Sequence, residues 1–161
     1  MDIREFRNTL GHFATGVTVI TSRLGEELIG LTANSFSSLS LEPPLILVCI
    51  DKKSSSLHAF TKDQPFVVNI LQHAQEKVCW DFAKKADKFT NAEYSLSKDN
   101  VPVLEGNLAT IECTVAELFE GGDHYIVTGL VSRFEYDLQK APLLFFRGKT
   151  AGLAGAAEIS K

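Results

Sequence analysis

A predicted β-hairpin occupies the C-terminal part of the sequence. Residues 108–119 (LATIECTVAELF) and 124–136 (HYIVTGLVSRFEY) are rich in β-branched and aromatic side chains, and the first of them partly alternates between apolar and polar positions. Between them lies Gly121-Gly122-Asp123, a strong turn signal. The pattern predicts two long antiparallel strands that are joined by a short glycine-containing loop.

The other predicted elements are shorter. Residues 15–22 (TGVTVITS) are dense in β-branched side chains, and a turn at Gly25 leads to a second strand that starts at 28–31. Further strands are predicted at 45–50, 65–71 and 142–146, and short helices at 2–13, 54–62 and 72–85. Residues 86–107 are polar and irregular, which indicates a long loop that is functional or mobile.

The order of these elements predicts the fold class. The strands come in hairpins and not in regular βαβ alternation, so we expect a mainly β protein: an antiparallel barrel closed on itself, with helices on its outside. The 161 residues fit one domain of ordinary size. We assign residues 1–155 to this domain and residues 156–161 to a weakly ordered tail.

The composition excludes several classes of function. The net charge is −4, so the chain has no basic surplus to favour nucleic acid or an anionic membrane. No apolar stretch is long enough to span a bilayer. The N-terminal residues MDIREFRNTL lack the apolar region of a signal peptide, which predicts a cytoplasmic protein.

The three cysteines predict buried free thiols and not a metal or disulfide site. Cys49, Cys79 and Cys113 are far apart in the sequence, and no C-x-x-C pair is present. Zinc binding and dithiol redox chemistry are therefore not expected, and free thiols fit a reducing compartment.

The stretch Gly30–Asp51 (GLTANSFSSLSLEPPLILVCID) combines a run of small polar residues with an apolar strand. Small hydroxyl and amide residues leave backbone N–H groups accessible and add short donors of their own. One interpretation is a flat, hydrogen-bonding ligand that lies against this backbone. The other is an ordinary Ser/Thr-rich loop before a strand, because polar loops are common.

A candidate anion site follows this stretch. Ser54-Ser55-Ser56 precede the predicted helix at 54–62, and serine is a good helix N-cap. An exposed helix N-terminus suits a phosphate, and the adjacent Lys52 and Lys53 add positive charge. The alternative is a plain helix cap beside two solvated lysines.

Known catalytic motifs are absent from the sequence. It contains no G-x-G-x-x-G after a strand, no Walker loop, no H-E-x-x-H and no G-x-S-x-G. The four histidines show no metal-ligand spacing, and only His124 stands out, because a Gly-Gly-Asp turn presents an imidazole easily. A role in stabilising the turn explains His124 equally well. The residues alone predict a β-barrel domain with a candidate anion-binding loop.

Six sequence blocks, in order, cover nearly the whole chain and resemble one family. They are FATGVTVIT (13–21), GLTANSFSSLSLEPPLILVCI (30–50), PFVVNIL (65–71), DFA (81–83), GGDHYIVTGLV (121–131) and PLLFFRGK (142–149). Together they resemble the flavin reductase family with the FMN-binding split-barrel fold, the small reductase components of two-component flavin monooxygenases. The resemblance implies an antiparallel barrel of Greek-key type.

The resemblance also implies positions for a flavin and a dinucleotide. Asn34 and its neighbours would contact the isoalloxazine ring, Ser38–Ser40 would flank the ribityl chain, and Lys53 with the serines after it would hold the phosphate. The implied flavin-binding residues are Thr32, Ala33, Asn34, Ser35, Ser38, Leu39, Ser40, Cys49, Ile50, Asp51, Lys53, Ser54, Ser55, Ser56, Phe82, Ala83 and Lys88. Gly122, Asp123 and His124 would form the turn on the nicotinamide side, with His124 contacting the dinucleotide.

The implied activity is the reduction of FMN or FAD by NADH or NADPH. Hydride would pass from nicotinamide to flavin without an acid–base residue, so no catalytic residue and no metal ligand are assigned. NADH is slightly preferred over NADPH, because no arginine cluster marks a site for the 2′-phosphate. The resemblance further implies a homodimer and a partner monooxygenase that receives the reduced flavin.

One position departs from the family pattern. The family usually carries an aromatic residue shortly after the PLLFF-type strand, and this sequence has Thr150 there. Two alternatives therefore stay open. One is an electron-transfer flavoprotein that binds FMN tightly and oxidises NAD(P)H slowly; the other is a split-barrel module for a different planar ligand such as haem.

Overall fold

The structure, a computed structural model, describes residues 1–84 and 86–155. It contains two α-helices, α1 (Ile3–Leu10) and α2 (Glu76–Ala83), and single 3₁₀ turns at Leu57–Ala59 and His73–Gln75. The strands are β1 (Thr15–Gly16), β2 (Thr18–Leu24), β3 (Glu27–Ala33), β4 (Phe36–Leu41), β5 (Pro44–Asp51), β6 (Pro65–Ile70), β7 (Tyr94–Leu96), β8 (Pro102–Leu104), β9 (Ala109–Gly121), β10 (His124–Tyr136), β11 (Leu143–Phe146) and β12 (Lys149–Gly152).

Seven strands form one sheet in the order β3-β2-β6-β9-β10-β5-β4, and every neighbouring pair is antiparallel. The predicted hairpin is its longest part: β9 and β10 pair along their length around Gly122 and Asp123, and Gly122 has the positive φ of +70° that glycine adopts readily. The mainly β, antiparallel prediction is confirmed. Strands β3 and β4 are the two edges of this sheet and do not pair with each other. The expectation of a fully closed barrel, which was drawn from the residue patterns, is therefore wrong, and a split barrel describes the fold better.

The sheet curls around one core and carries a second on its outer face. Ile20 of β2, Val48 of β5 and Val127 of β10 belong to the inner cluster, although β2 and β5 lie far apart in the strand order. The adjacent Val19 points the other way and packs with Phe82 of α2 in the outer cluster. The period-two alternation of β2 thus serves both cores, which is why Thr18–Ser22 are all buried.

A buried polar network holds α2 and the loop after β8 against the sheet. The Asn69 amide donates to the Val19 carbonyl at 3.0 Å, and its oxygen accepts from Leu104 N at 2.9 Å and from Asn107 Nδ2 at 2.9 Å. Gln75, just before α2, donates to Asn107 Oδ1 at 3.2 Å. Since these polar groups are buried and paired, they fix the position of α2 beside the end of β3.

Several sequence predictions about local structure are corrected. The polar run before β5 is not a loop, because residues 36–41 form strand β4, which pairs with β5. The helix expected at 54–62 is only the 3₁₀ turn Leu57–Ala59. The stretch 86–107, expected to be irregular, contains the β7–β8 hairpin. Helix α1 is confirmed with Asp2 as its N-cap, and the tail 156–161 lies outside the described residues.

Within residues 1–84 and 86–155, neither α-helix has the length and apolar character that crossing a membrane requires.

Candidate functional site

A cleft lies where the ends of β3 and β5 meet the end of α2 and the start of β10. Its volume is about 510 Å³, within the range of sites that bind cofactors and other small molecules. We call it the main cleft. Its lining residues are Leu31, Thr32, Ala33, Asn34, Ser35, Cys49, Asp51, Lys53, Ser54, Ser55, Phe82, Ala83, Lys84, Lys88 and His124.

The end of β3 is anchored by hydroxyl groups on both sides. Thr32 Oγ1 donates to the Cys79 carbonyl of α2 at 2.6 Å, and Thr18 Oγ1 donates to the Ala33 carbonyl at 2.7 Å. These bonds hold the backbone of residues 32–33 against the helix and against β2. Asn34 follows in the turn to β4, where its side chain is exposed at the cleft edge.

The end of β5 forms the opposite wall. Ser35 Oγ donates to the Cys49 carbonyl at 2.8 Å, which connects the two walls at the base of the turn. Burial raises the pKa of the Cys49 thiol, so this side chain is a neutral thiol at neutral pH. Asp51 Oδ1 accepts from Lys53 N at 2.7 Å and its carbonyl accepts from Ser54 N at 2.9 Å, so the carboxylate shapes the loop that follows.

Three lysines give the main cleft a positive character in a chain whose net charge is −4. Lys84 Nζ lies 2.9 Å from Asp81 Oδ1, so part of its charge is compensated. Lys53 forms no ion pair with any described residue. Lys88 Nζ donates to the Gly30 carbonyl at 2.6 Å, and burial lowers its pKa from the usual 10.5. Such a cluster suits an anionic group such as a phosphate.

Phe82 packs under the cleft against Gly30. An ideal Cβ on Gly30 would lie 2.5 Å from Phe82 Cε1, so this position of β3 accepts only a glycine at the present spacing. Phe82 is 1% exposed, and its ring meets Phe89 edge-to-face at 4.9 Å. The phenyl ring therefore supports the floor of the cleft, and little of its surface is accessible to a ligand.

His124 enters the cleft from the first residue of β10, opposite Asp51 of β5. Its Nδ1 lies 2.7 Å from Asp123 Oδ1, and this hydrogen bond lowers the pKa of the Asp123 carboxyl. An ionised carboxylate only accepts hydrogen bonds, so Nδ1 carries the proton and Nε2 is left for another partner. The hydrogen bond thus fixes the imidazole at the edge of the cleft and links it to the turn.

Most residues that the sequence analysis assigned to a flavin do meet at the main cleft. They are Thr32, Ala33, Asn34, Ser35, Cys49, Asp51, Lys53, Ser54, Ser55, Phe82, Ala83, Lys88 and, from the dinucleotide set, His124. Leu31 and Lys84 were missed, although Lys84 directly follows the assigned Ala83 and its charge was a usable signal.

The remaining assigned residues do not line the main cleft. Ser38, Leu39 and Ser40 lie on the edge strand β4, and Gly122 and Asp123 form the loop between β9 and β10. The side chain of Ile50 is fully buried in the inner core. Ser56 is buried and donates from Oγ to the Gly30 carbonyl at 3.3 Å. Its assignment to a helix N-terminus is wrong, because no α-helix starts there.

Comparison with known proteins identifies the family of this chain. The family model described as "Flavin reductase like domain" matches residues 10–154. The chain is 42% identical over 156 residues to the reductase subunit HsaB of a flavin-dependent monooxygenase from Mycobacterium tuberculosis, covering 95% of this chain and 83% of that protein. It is 41% identical over 130 residues to the FMN reductase (NADH) SmoA of Agrobacterium fabrum, covering 81% and 75%.

A solved structure shares the fold over almost the full length. The NADH:FAD oxidoreductase SgcE6 of Streptomyces globisporus, in complex with NAD and FAD fragments, superposes with a TM-score of 0.90 at 36% identity, covering 96% of this chain and 94% of that one. Together with the matched family model, which spans most of the chain, this likeness leads to one assignment. The chain belongs to the family of flavin reductase like domains.

Proposed function

We propose that this protein is an NAD(P)H:flavin oxidoreductase that reduces FMN or FAD. The observation that carries the proposal is the main cleft itself: about 510 Å³, lined by small polar residues and by three lysines, in a chain of this family. SmoA and SgcE6, which are similar to this chain, are named for NADH and for FMN or FAD. A flavin, when bound, supplies the redox chemistry by accepting a hydride from the dinucleotide.

The donor set of the cleft fits a flavin nucleotide. Thr32–Ser35 offer a fixed backbone edge and the Asn34 amide for the polar rim of the ring. Donors at this rim favour a more negative, reduced ring. Lys53, Ser54 and Ser55 lie on the wall that continues from β5, where we place the phosphate, with Lys88 on the facing wall.

The remaining assigned residues keep their roles as part of the proposal. Ser38, Leu39, Ser40, Ile50 and Ser56 are proposed to act around the ribityl chain and phosphate, through backbone groups or by support of the cleft wall. Gly122, Asp123 and His124 are proposed to serve the dinucleotide, with the His124 imidazole oriented by Asp123. The protein then orients two rings and excludes water, and no side chain is required to carry a proton.

We also propose a homodimer in the cytoplasm. All described cysteines are free thiols, which supports a reducing compartment such as the cytoplasm.

The surface of helix α1 supports the dimer. The helix buries none of its side chains, and Ile3, Phe6 and Leu10 are exposed. Apolar surface of this kind supports contact with a second copy, because monomers rarely expose a contiguous apolar patch. The molar mass in solution, measured by light scattering, tests the dimer.

The partner is proposed to be a flavin-dependent monooxygenase that takes up the reduced flavin. This rests on the similarity to HsaB, which is named as the reductase subunit of such an enzyme.

One assay tests the main proposal. Purified protein is mixed with NADH or NADPH and with riboflavin, FMN or FAD, and dinucleotide absorbance is followed in air. Flavin-dependent loss of dinucleotide is expected, and no loss with any of the six pairs would sink the proposal. A protein that is yellow as isolated yet oxidises NADH slowly would instead favour the electron-transfer alternative.

A further inference from the structure

A second recess adjoins the main cleft on the α2 side. It has a volume of about 190 Å³ and is lined by Val17, Thr32, Ala33, Asn34, Cys79, Trp80, Ala83 and Phe145. We call it the Trp80 recess. It shares Thr32, Ala33, Asn34 and Ala83 with the main cleft, so the two spaces adjoin.

The recess differs from the main cleft in chemistry and in size. None of its lining residues is charged, whereas the main cleft has three lysines. A cavity of about 150 Å³ accommodates a benzene ring, so 190 Å³ holds one six-membered ring but not the three fused rings of a flavin. The recess is therefore suited to a single planar ring.

Two aromatic side chains face this space from opposite elements. Trp80 lies on α2 and remains 43% exposed, while its neighbours Cys79 and Phe82 are buried. Phe145 lies on β11, across the recess. An exposed indole beside a cleft offers a flat apolar surface with little loss of conformational entropy on binding.

Thr150 lies next to Phe145, which lines the recess. It is the β12 residue directly opposite Phe145, and its hydroxyl donates to the Glu76 carboxylate of α2. Glu76 is four residues before Trp80, so both lie on one face of the helix. At the position where the family pattern has an aromatic residue, Thr150 is thus hydrogen-bonded to Glu76 of α2. The recess instead receives an aromatic side chain from the helix, that of Trp80.

We propose that Trp80 stacks against the nicotinamide ring of the dinucleotide and so determines the affinity of this protein for NAD(P)H. The inference rests on the proposed function. Hydride transfer needs the two rings in contact, about 3–3.5 Å apart, and the recess adjoins the cleft through the shared residues 32–34. His124, on the opposite wall, is left to the polar part of the dinucleotide. Stacking changes no covalent bond.

Steady-state kinetics of W80A, W80F and the control Y136A test the proposal. Tyr136 is an exposed aromatic residue at the far end of β10, outside the cleft and the recess. Loss of one stacked ring predicts about a tenfold higher KM for NADH in W80A, with kcat and flavin affinity nearly unchanged. W80F keeps an aromatic face and is expected within about threefold of wild type. Y136A is expected to match wild type.

A direct binding measurement is available because Trp80 is the only tryptophan in the sequence. Flavin-saturated protein is titrated with nicotinamide mononucleotide, and with AMP as a matched nucleotide without the nicotinamide ring. Saturable quenching of tryptophan emission by the first but not by the second is expected. No quenching by nicotinamide mononucleotide, or equal quenching by AMP, overturns the proposal.

The two levels of the hypothesis fail differently. If wild-type protein oxidises NADH in a flavin-dependent reaction and W80A has the wild-type KM, only the stacking role is wrong. If wild-type protein oxidises neither dinucleotide with any flavin, the proposed function is wrong, and the proposed role of Trp80 is then wrong as well.

Discussion

Substitution of Gly30 by alanine is a sharp test of how the cleft is built. The new Cβ would lie 2.5 Å from Phe82 Cε1 and 2.6 Å from Cδ1, far inside the 3.5–4.0 Å at which carbon atoms pack. Phe82 cannot move aside easily, because it is 1% exposed and packs against Phe89. Overpacking of this kind costs about 1–3 kcal/mol.

A stabilising effect of the alanine opposes this packing cost, but it is smaller. Replacing glycine by alanine reduces the conformational entropy of the unfolded chain and, where the site has room, stabilises a protein by about 0.4–1 kcal/mol. We therefore expect a net loss in G30A, and a Tm lower by roughly 2–8 °C for a chain of this length. Because Phe82 lines the main cleft and the Gly30 carbonyl holds Lys88 there, FMN affinity is expected to fall as well.

Two control variants separate stability from binding. In G16A the new Cβ meets nothing within 4 Å, so stability is expected to stay within about 0.5 kcal/mol of wild type. In G129A the Cβ would lie 2.5 Å from Phe66 Cζ in the inner core, away from the cleft. G129A should lose stability like G30A but keep the FMN affinity of its folded fraction.

The assay is thermal unfolding of flavin-free protein, followed by FMN titration at a temperature where every variant is folded. A G30A protein as stable as wild type would refute the packing argument. Equal FMN affinity in G30A and G129A would refute the link between Phe82 and the cleft.

Three further outcomes are expected. Since burial lowers the pKa of Lys88 from 10.5, its charge is lost earlier with rising pH than that of an exposed lysine. The preference for FMN over riboflavin should therefore decline with rising pH before exposed lysines lose their charge, and a constant ratio of the two dissociation constants would contradict the phosphate role. Burial raises the pKa of Cys113 to about 12, so iodoacetamide at pH 8 should leave it unmodified in native protein, whereas Cys49 should react slowly and be protected by FMN, as peptide mass spectrometry can check. N69L should remove several buried hydrogen bonds at once and lower the free energy of unfolding by about 2–4 kcal/mol in a urea titration; a loss below about 1 kcal/mol would show that the network is dispensable.

Local patterns were sufficient where neighbouring residues decide the structure. The turn at Gly122 and the strands around it depend on short-range geometry, and the structure confirms the predicted hairpin. The helix at Asp2 is likewise local, because its cap bonds reach only Arg4 and Glu5. Sequence blocks that resemble a known family were enough to identify the residues 32–35 as one wall of a cleft.

Local patterns gave the wrong prediction where pairing between distant segments determines the local structure. The run from residue 36 to residue 41 has weak strand propensity, yet it forms β4 because β5 offers it a free edge. The serines at 54–56 have good capping chemistry, yet the chain there makes a 3₁₀ turn, because Ser56 is drawn inward to the Gly30 carbonyl. In both cases a long-range partner outweighs propensity.

The amino-acid sequence by itself determined that the strands are antiparallel and, through its resemblance to a family, which residues line one wall of the main cleft. Side-chain alternation and turn chemistry act over a few residues and can be read directly. Only the tertiary structure decided that Trp80 and Phe145, 65 positions apart in the numbering, face one recess, and that Thr150 is tied to Glu76. The reason is physical: that arrangement depends on how α2 and the β11–β12 hairpin dock, which follows from burial and from hydrogen bonds between distant segments.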